Sequence, residues 1–351
     1  MRAKGIKILS LLIILCLFVL TGCKERKTSQ AAERKEQDNV VRIGITFDSF
    51  VIERWQRDRD VFVSAAQELG AEVNVQNANG DMEEQIAQID YFIEKKMDVI
   101  VVVMVASDAD PAGLVNAVQR AGRAGILVVA YDRLILNAGV DLYISFDNEE
   151  VGRLMGEHMS EHLGEGGDVL QICGPMADYN VPQVMTGFDK ALKGSGLKIA
   201  FTEYAEGWLG ETGFSVTGSY LAAREAPKGI MCGNDSIAGH AIRALSERRL
   251  AGKICVVGQD ADLDACQRIV EGTQCMTVYK PVERLARRAA EMCAALAEGK
   301  ETAVSETIND GTFDVPYERL EPVAVTKENM DEVITGKYHE EGDIYLNVSR
   351  P

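Results

Sequence analysis

Charged and amide side chains repeatedly follow the apolar segments of this sequence, and both tryptophans stand close to such positions. Apolar runs end in Asp, Asn, Arg or Lys, as in "TFDS", "YDR", "SFDN", "CGND", "GQDAD" and "VYKP". Trp55 stands next to Arg54 in the charged stretch "DSFVIERWQRDRD", and Trp208 lies in "EGWLG". A single polar residue of this kind is an ordinary helix N-cap, but the repetition favours a shared ring of hydrogen-bonding groups.

These residue types suit the noncovalent binding of a polyhydroxylated ligand. Asp, Asn and Arg offer planar pairs of acceptors or donors that match adjacent hydroxyl groups, and an indole ring can cover an apolar C–H face. For each residue alone, a cap, a surface ion pair or a packed aromatic ring explains its position equally well, but the combination predicts a ligand site. The candidate residues are Arg54, Trp55, Asp132, Arg133, Asn180, Trp208, Asn234, Asp260 and Lys280.

Two motifs resemble metal sites, and both have simpler explanations. The segment "HMSEH" has the H-x-x-E-H spacing of an inverted zinc-protease motif, but the sequence shows no third ligand, and the pattern predicts a solvated helix face. The segment "DADLDACQRIVE" places acids at four positions of an EF-hand loop, but Ala265 stands where the sharp turn requires glycine. We therefore expect no metal and no cofactor.

The sequence also argues against catalysis and against nucleic acid as a partner. It contains no Walker loop, no G-x-S-x-G elbow and no dinucleotide fingerprint. Carboxylate pairs could be drawn from Asp132, Asp147 and Asp260, but no nucleophile or cofactor motif accompanies them. A formal net charge of −17 disfavours nucleic acid and anionic membrane surfaces as partners. We expect a binding protein rather than an enzyme.

Alternating strands and helices must position these residues. Runs such as "DVIVVVMV" lack polar alternation, which is typical of parallel strands covered on both faces. Segments between the runs, such as "MEEQIAQIDYFIEKK", are apolar every three to four residues and predict helices. The alternation predicts an α/β fold with parallel sheets, and the 351-residue length favours two domains. In such sheets, ligands bind beyond the carboxyl ends of the strands, where the polar residues stand.

The N-terminus has the pattern of a bacterial lipoprotein signal. A basic start and the apolar run "ILSLLIILCLFVL" lead to "LTGC", which predicts a signal peptide over residues 1–22 and lipid attachment at Cys23. An uncleaved anchor with a chance cysteine is the alternative. The polar residues at 23–40 predict a flexible tether. Both interpretations place the protein at the extracytoplasmic face of the cell membrane.

Six further cysteines show no C-x-x-C spacing and do not predict a disulfide framework. Most of them lie in apolar runs, where cysteine behaves as a small hydrophobic residue. A Cys266–Cys275 bridge stays open as an alternative. The six are Cys173, Cys232, Cys255, Cys266, Cys275 and Cys293.

Several long segments resemble the periplasmic sugar-binding proteins of ABC import systems (type I). They run in order through residues 41–325 and are "IERWQRDRD", "NANGDMEEQIAQI", "VVAYDRLI", "YISFDNEEVG", "GQDADL" and "GTQCMTVYKP". The resemblance implies two Rossmann-like lobes joined by three hinge crossings, with the sugar in the cleft between them. The nine candidate residues match sugar-contacting positions of the family, and Trp55 and Trp208 would enclose the ring. The loop that carries Asn180 matches only loosely.

The resemblance also implies the division of the chain. The first lobe is expected to contain residues 41–148 and 281–311, and the second residues 149–280 and 312–345. The hinges are expected near "ISFDN", "MTVYKP" and "FDVPYE".

The implied function is ligand capture without chemistry. The ligand would be a monosaccharide, D-xylose or a related aldose, and the closed form would be read by an ABC permease. A membrane sensor kinase or chemoreceptor is the alternative partner. A repressor of the same fold is disfavoured, because the sequence has an export signal and lacks N-terminal DNA-binding helices.

Overall fold

The computed structural model describes residues 40–164 and 166–350. The predicted signal peptide and the lipid attachment site at Cys23 lie outside these residues, as does all of the predicted tether except Val40. Within the described part of the chain, no helix has both the length and the apolar character that crossing a membrane requires.

Thirteen strands in the described residues form two sheets. The strands are β1 (Arg42–Phe47), β2 (Glu72–Asn77), β3 (Val99–Val102), β4 (Leu127–Tyr131), β5 (Leu142–Phe146), β6 (Gly167–Cys173), β7 (Leu197–Tyr204), β8 (Gly229–Cys232), β9 (Cys255–Gln259), β10 (Met276–Tyr279), β11 (Glu306–Asn309), β12 (Asp314–Leu320) and β13 (Val323–Val325). The first sheet has the order β2-β1-β3-β4-β5-β12-β11 and the second β7-β6-β8-β9-β10-β13. The first five strands of each sheet therefore follow the same order, so the two lobes are built alike.

Helices cover both faces of each sheet. They are α1 (Glu53–Glu68), α2 (Met82–Glu94), α3 (Pro111–Arg123), α4 (Asn148–Leu163), α5 (Asn180–Ala191), α6 (Glu211–Ala223), α7 (Asp235–Glu247), α8 (Leu263–Glu271), α9 (Val282–Ala297), α10 (Met330–Val333) and α11 (Glu341–Ile344). Separate buried clusters lie on the two faces of each sheet, which explains why the central strands lack polar alternation. The predicted α/β class with mostly parallel sheets is confirmed.

The chain passes between the sheets three times. The passages lie between β5 and α4, between β10 and α9, and between β12 and β13. Helix α9 packs with α1 on the first sheet, and α4 packs with α5 on the second.

The predicted boundary between residues 311 and 312 is wrong. The segment "FDVPYE" falls largely in β12, which pairs in parallel with β5 in the first sheet. Gly311 has a φ of 104° in a tight turn, and this turn returns the chain antiparallel onto the strand β11. The third passage therefore lies between Leu320 and Val323, later than the sequence indicated.

The C-terminal segment packs on the second lobe. Strand β13 pairs antiparallel with β10, and the residues after it bury apolar side chains against α8. These side chains are Met330, Ile334, Tyr338 and Ile344. The tail is thus part of the second lobe's core rather than an appendage.

All six cysteines of the described chain are free thiols, and all but Cys275 are fully buried. The Cys266–Cys275 bridge that the sequence left open is not formed.

Candidate ligand site between the two lobes

Eight of the nine candidate residues line one narrow cavity between the lobes. The first lobe supplies Arg54 and Trp55 from the first turn of α1, and Asp132 and Arg133 from the end of β4. The second lobe's contributions follow β6, β7, β9 and β10 and are Asn180, Trp208, Asp260 and Lys280. The carboxyl ends of the strands in both sheets therefore meet at this cavity, as the topology of parallel sheets requires.

Asn234 does not line this cavity. Its Oδ1 accepts a hydrogen bond from the amide of Ile237 at 2.8 Å and caps the helix α7. It lies instead on an outer cavity that it shares with Trp208. Asp147 likewise caps α4 through the amide of Glu150. The structure therefore shows both residues as helix caps, and a contact between Asn234 and a ligand stays a prediction.

The guanidinium of Arg54 lies among three carboxylates. It is 2.9 Å from Asp132, 3.3 Å from Asp58 and 3.8 Å from Asp260. Burial acts to lower the pKa of Arg54, but Asp132, Asp58 and Asp260 outweigh burial and hold the pKa well above its ordinary value. Because Asp260 belongs to the second lobe, Arg54 connects the two lobes electrostatically.

Arg133 forms a second bridge between the lobes. Its Nη1 lies 2.6 Å from Asp48 of the first lobe, and its Nε lies 2.6 Å from Asp178 of the second. The Arg133 and Asp178 side chains are 2% and 1% exposed, so the pair is shielded from water and from salt. Burial raises the pKa of Asp178, and Arg133 opposes that effect.

Two further interactions complete the polar network. Nζ of Lys280 is 2.7 Å from Asp260 within the second lobe. Nδ2 of Asn180 donates to Oδ1 and to the main-chain oxygen of Asp132, both at 3.1 Å, across the cleft. Burial acts to raise the pKa of Asp132, but Arg54, Lys280 and Arg133 outweigh it and lower the pKa. Asp132 is therefore held as a carboxylate, which can accept hydrogen bonds from hydroxyl groups.

The two tryptophans come from opposite lobes. Trp55 is buried, and the guanidinium carbons of Arg54 and Arg133 lie 4.4 Å and 5.5 Å from its ring centre. Trp208 has a φ of 60° and packs so closely on Gly174 that a Cβ there would lie 2.3 Å from the indole. The Nε1 donors of both rings are buried without a hydrogen-bond partner in the described chain. Unpaired buried donors are uncommon in proteins.

The sequence reasoning missed several residues of the cavity and its support. Asp178, Asn148 and Gln259 line the cavity, while Asp48 and Asp58 hold its two arginines. Two of them had a signal in the sequence. Asp58 stands four residues after Arg54, on the same helix face, and Asp178 stands two residues before Asn180.

The sequence matches the model of a known protein family. This family is described as a periplasmic binding protein domain, and the match covers residues 43–301. The chain belongs to the periplasmic binding protein family.

Individual members of the periplasmic binding protein family resemble this chain over nearly its whole length. The D-xylose-binding periplasmic protein of Escherichia coli (strain K12) is 40% identical, and the match covers 96% of this chain and 100% of that protein. The D-xylose-binding periplasmic protein of Haemophilus influenzae is 39% identical, with coverages of 87% and 92%. These matches confirm the resemblance that the sequence motifs indicated, and the names describe binding proteins rather than enzymes.

A solved structure supports the fold. The crystal structure of an ABC transporter solute-binding protein from Clostridium phytofermentans with bound β-D-glucose matches with a TM-score of 0.78. The two sequences are 26% identical, and the match covers 86% of this chain and 99% of that chain.

Proposed function

We propose that this protein is an extracytoplasmic receptor that binds a monosaccharide in the cleft between its lobes, with D-xylose as the preferred ligand. One observation carries the proposal: charged, amide and indole groups from both lobes converge on one narrow cavity. A saccharide matches this chemistry, because it combines adjacent hydroxyl groups with apolar ring faces.

The polar groups have separate roles in this proposal. The carboxylates of Asp132 and Asp260 accept hydrogen bonds from sugar hydroxyls, while Arg54, Lys280 and Asn180 donate to them. Hydrogen bonds to charged groups contribute about 1.5–3 kcal/mol each, and a buried site excludes competing water. The neighbouring ion pairs fix the donors and acceptors before the sugar arrives, which reduces the entropy that binding costs.

The tryptophans supply the apolar part of the site. Trp55 and Trp208 stand on opposite lobes, so the two rings can contact a sugar together only when the lobes are closed. The Trp55 ring also contacts two cations, Arg54 and Arg133, which keep the ring in a fixed orientation.

The preference for D-xylose rests on the two relatives of about 40% identity, both named as D-xylose-binding proteins. The less similar structure from Clostridium phytofermentans holds β-D-glucose. One methylene group more or less in a pocket changes affinity by about 1–3 kcal/mol, so we expect D-glucose to bind more weakly than D-xylose.

Closure of the lobes creates the surface that a transporter would recognise. Arg133–Asp178 and Arg54–Asp260 join the lobes inside the cleft. On the outside, Arg57 of α1 donates to the main-chain oxygen of Tyr338 at 2.7 Å. Closure also brings Val51 of the first lobe and Leu209 of the second to one outer cavity, and both are exposed apolar residues. A composite surface of this kind exists only when the lobes are closed.

In this proposal the closed form is delivered to an ABC sugar importer, and a lipid on Cys23 holds the receptor at the membrane. A membrane sensor protein is the alternative recipient. Uptake of labelled sugar into vesicles that contain the receptor and its permease, lost without the receptor, would support import. Capture by a sensor, with no receptor-dependent uptake, would contradict import.

Calorimetry tests the binding function itself. The purified protein is titrated with D-xylose, D-glucose, L-arabinose and D-ribose. We expect one site per chain and the tightest binding for D-xylose, strong weakening in Asp260→Asn, and no change in the exposed control Lys198→Ala. Absence of binding heat at two temperatures for all four sugars would contradict the proposal.

A further inference from the structure

A second polar cluster lies in the second lobe. It lies at the amino-terminal ends of the strands, whereas the cleft lies at their carboxyl ends. It consists of His158 and His162 on α4 and Cys275, which directly precedes β10. Lys280, at the other end of β10, lines the cleft, so the strand separates the two places.

The three ligand atoms are close together. One nitrogen of each imidazole and the sulfur of Cys275 all lie within 4.8 Å of one another. The two imidazole rings are nearly parallel, with their centres 5.9 Å apart. Residues four apart on a helix share one face, which is why both rings reach the same point.

The surrounding packing fixes this arrangement. Val151, Met155 and Met159 of α4 are buried in the core of the second lobe, so the histidines are held beside the sheet. The amide of Cys275 donates to the main-chain oxygen of Val256 at 2.9 Å, which holds the cysteine at the edge of β9. The third ligand thus comes from a strand far from the histidines in sequence, and the motif "HMSEH" alone could not show it.

The donor set matches a borderline-soft metal ion. Two imidazoles and one thiolate are ligands that zinc prefers, with bonds of about 2.0–2.1 Å to nitrogen and about 2.3 Å to sulfur. Such bonds at tetrahedral angles place the ligand atoms roughly 3.3–3.8 Å apart, so small side-chain rotations suffice to bring these three together.

Two local features agree with this chemistry. Nε2 of His158 is inaccessible to solvent and makes no hydrogen bond to an oxygen or nitrogen atom of the described chain. The cavity beside the cluster is also lined by Glu328, Lys253 and Lys327, and it leaves room for water.

We propose that His158, His162 and Cys275 bind one zinc ion, with water from the cavity in the fourth position. Zinc takes the place of the thiol proton, which is released to solvent. The site is separate from the sugar cleft and does not depend on the function proposed for that cleft.

Cobalt titration of the reduced, metal-free protein tests the site, because a thiolate bound to Co²⁺ gives a charge-transfer absorption band. We expect the band to saturate at one Co²⁺ per chain and to disappear when zinc is added. In Cys275→Ser the band should be lost, and in His158→Ala the affinity should fall by more than the roughly 10–100-fold that an outer hydrogen-bond partner contributes.

Matched variants separate this site from incidental metal binding. Cys293→Ser changes a buried thiol in the first lobe, and His240→Ala changes a histidine on α7, so both should titrate as the unmodified protein does. His162 is exposed, and His162→Ala therefore keeps the test valid if Cys275→Ser does not fold. Absence of the band, or an unchanged band in Cys275→Ser and His162→Ala, would overturn the proposal.

Discussion

Asp132 and Asp260 occupy equivalent positions in the two lobes. Each follows the fourth strand of the shared strand order, β4 in one lobe and β9 in the other, and each has a positive φ, of 65° and 100°. The guanidinium of Arg54 lies near both, at 2.9 Å and 3.8 Å. A positive φ outside glycine costs about 1–3 kcal/mol, and such residues cluster at functional sites. The duplicated fold therefore places two strained carboxylates on either side of one cation.

The first prediction concerns that cation. Arg54→Met retains an unbranched side chain but removes the guanidinium, so three neighbouring carboxylates lose their cation. Removing one partner of a buried ion pair costs about 3–5 kcal/mol. We expect a loss of stability of this size in urea unfolding, together with loss of sugar binding in calorimetry.

Arg59→Met is the matched control on the same helix. Arg59 pairs with Asp60 at the surface, where an ion pair contributes about 0–1 kcal/mol. Equal losses of stability in the two variants would contradict the role given to Arg54.

The second prediction concerns closure of the lobes. Asp178→Asn removes the charge that Arg133 meets across the cleft at 2.6 Å. We expect the open form to gain population, which small-angle scattering would detect as a larger radius of gyration. Asp90→Asn breaks a surface pair with Arg120 inside the first lobe and should leave the radius unchanged. A radius that is the same in both variants would show that the pair does not hold the lobes closed.

The third prediction concerns acid. The pKa of Asp132 is lowered in the folded protein, because its cations outweigh burial. Such a carboxylate stabilises the fold above its unfolded pKa, and the contribution is lost as the pH falls through the lower folded pKa. Asp132→Asn should therefore be less stable than the unmodified protein near neutral pH, and the difference should shrink below about pH 4.

Urea unfolding of both proteins across this pH range measures the difference. Asp108→Asn, which changes an exposed loop residue, serves as the control and should show little difference at any pH. A difference for Asp132→Asn that stays constant down to about pH 3 would contradict the lowered pKa.

The fourth prediction concerns Trp208. A Cβ at position 174 would lie 2.3 Å from its indole ring, so Gly174→Ala must displace the ring. We expect weaker sugar binding in calorimetry, with the thermal unfolding transition still cooperative. Gly218→Ala adds a methyl group in open space on α6 and should retain full affinity. Unchanged affinity in Gly174→Ala would argue against a contact between Trp208 and the sugar.

The strands and the polar residues at their carboxyl ends were predicted correctly from the sequence, because both follow from local patterns. Apolar runs without polar alternation correspond to strands covered by helices on both faces, and eight of the nine candidate residues meet in one cavity. Asn234 caps a helix through its side-chain oxygen, and its contact with a ligand stays a prediction, because a helix cap and a ligand contact look the same in a sequence. The third hinge was misplaced because Gly311 marks a hairpin turn rather than a passage between lobes.

Relationships between distant segments could not be read from the sequence. Asp178 meets Arg133 only because both sheets present their carboxyl ends to one cleft. Cys275 likewise joins the histidines of α4 only through the order of strands in the second sheet. Neither of these two contacts produces a periodic pattern or a fixed spacing in the sequence.

Tryptophan fluorescence tests the central claim most directly, because Trp55 and Trp208 are the two tryptophans of the chain and belong to different lobes. Single-tryptophan variants, Trp55→Phe and Trp208→Phe, are titrated with D-xylose beside the unmodified protein. We predict a saturable change of emission in all three proteins, since the sugar contacts each ring in the closed cleft. Calorimetric binding of D-xylose with no emission change from either tryptophan would place the sugar elsewhere and contradict the account.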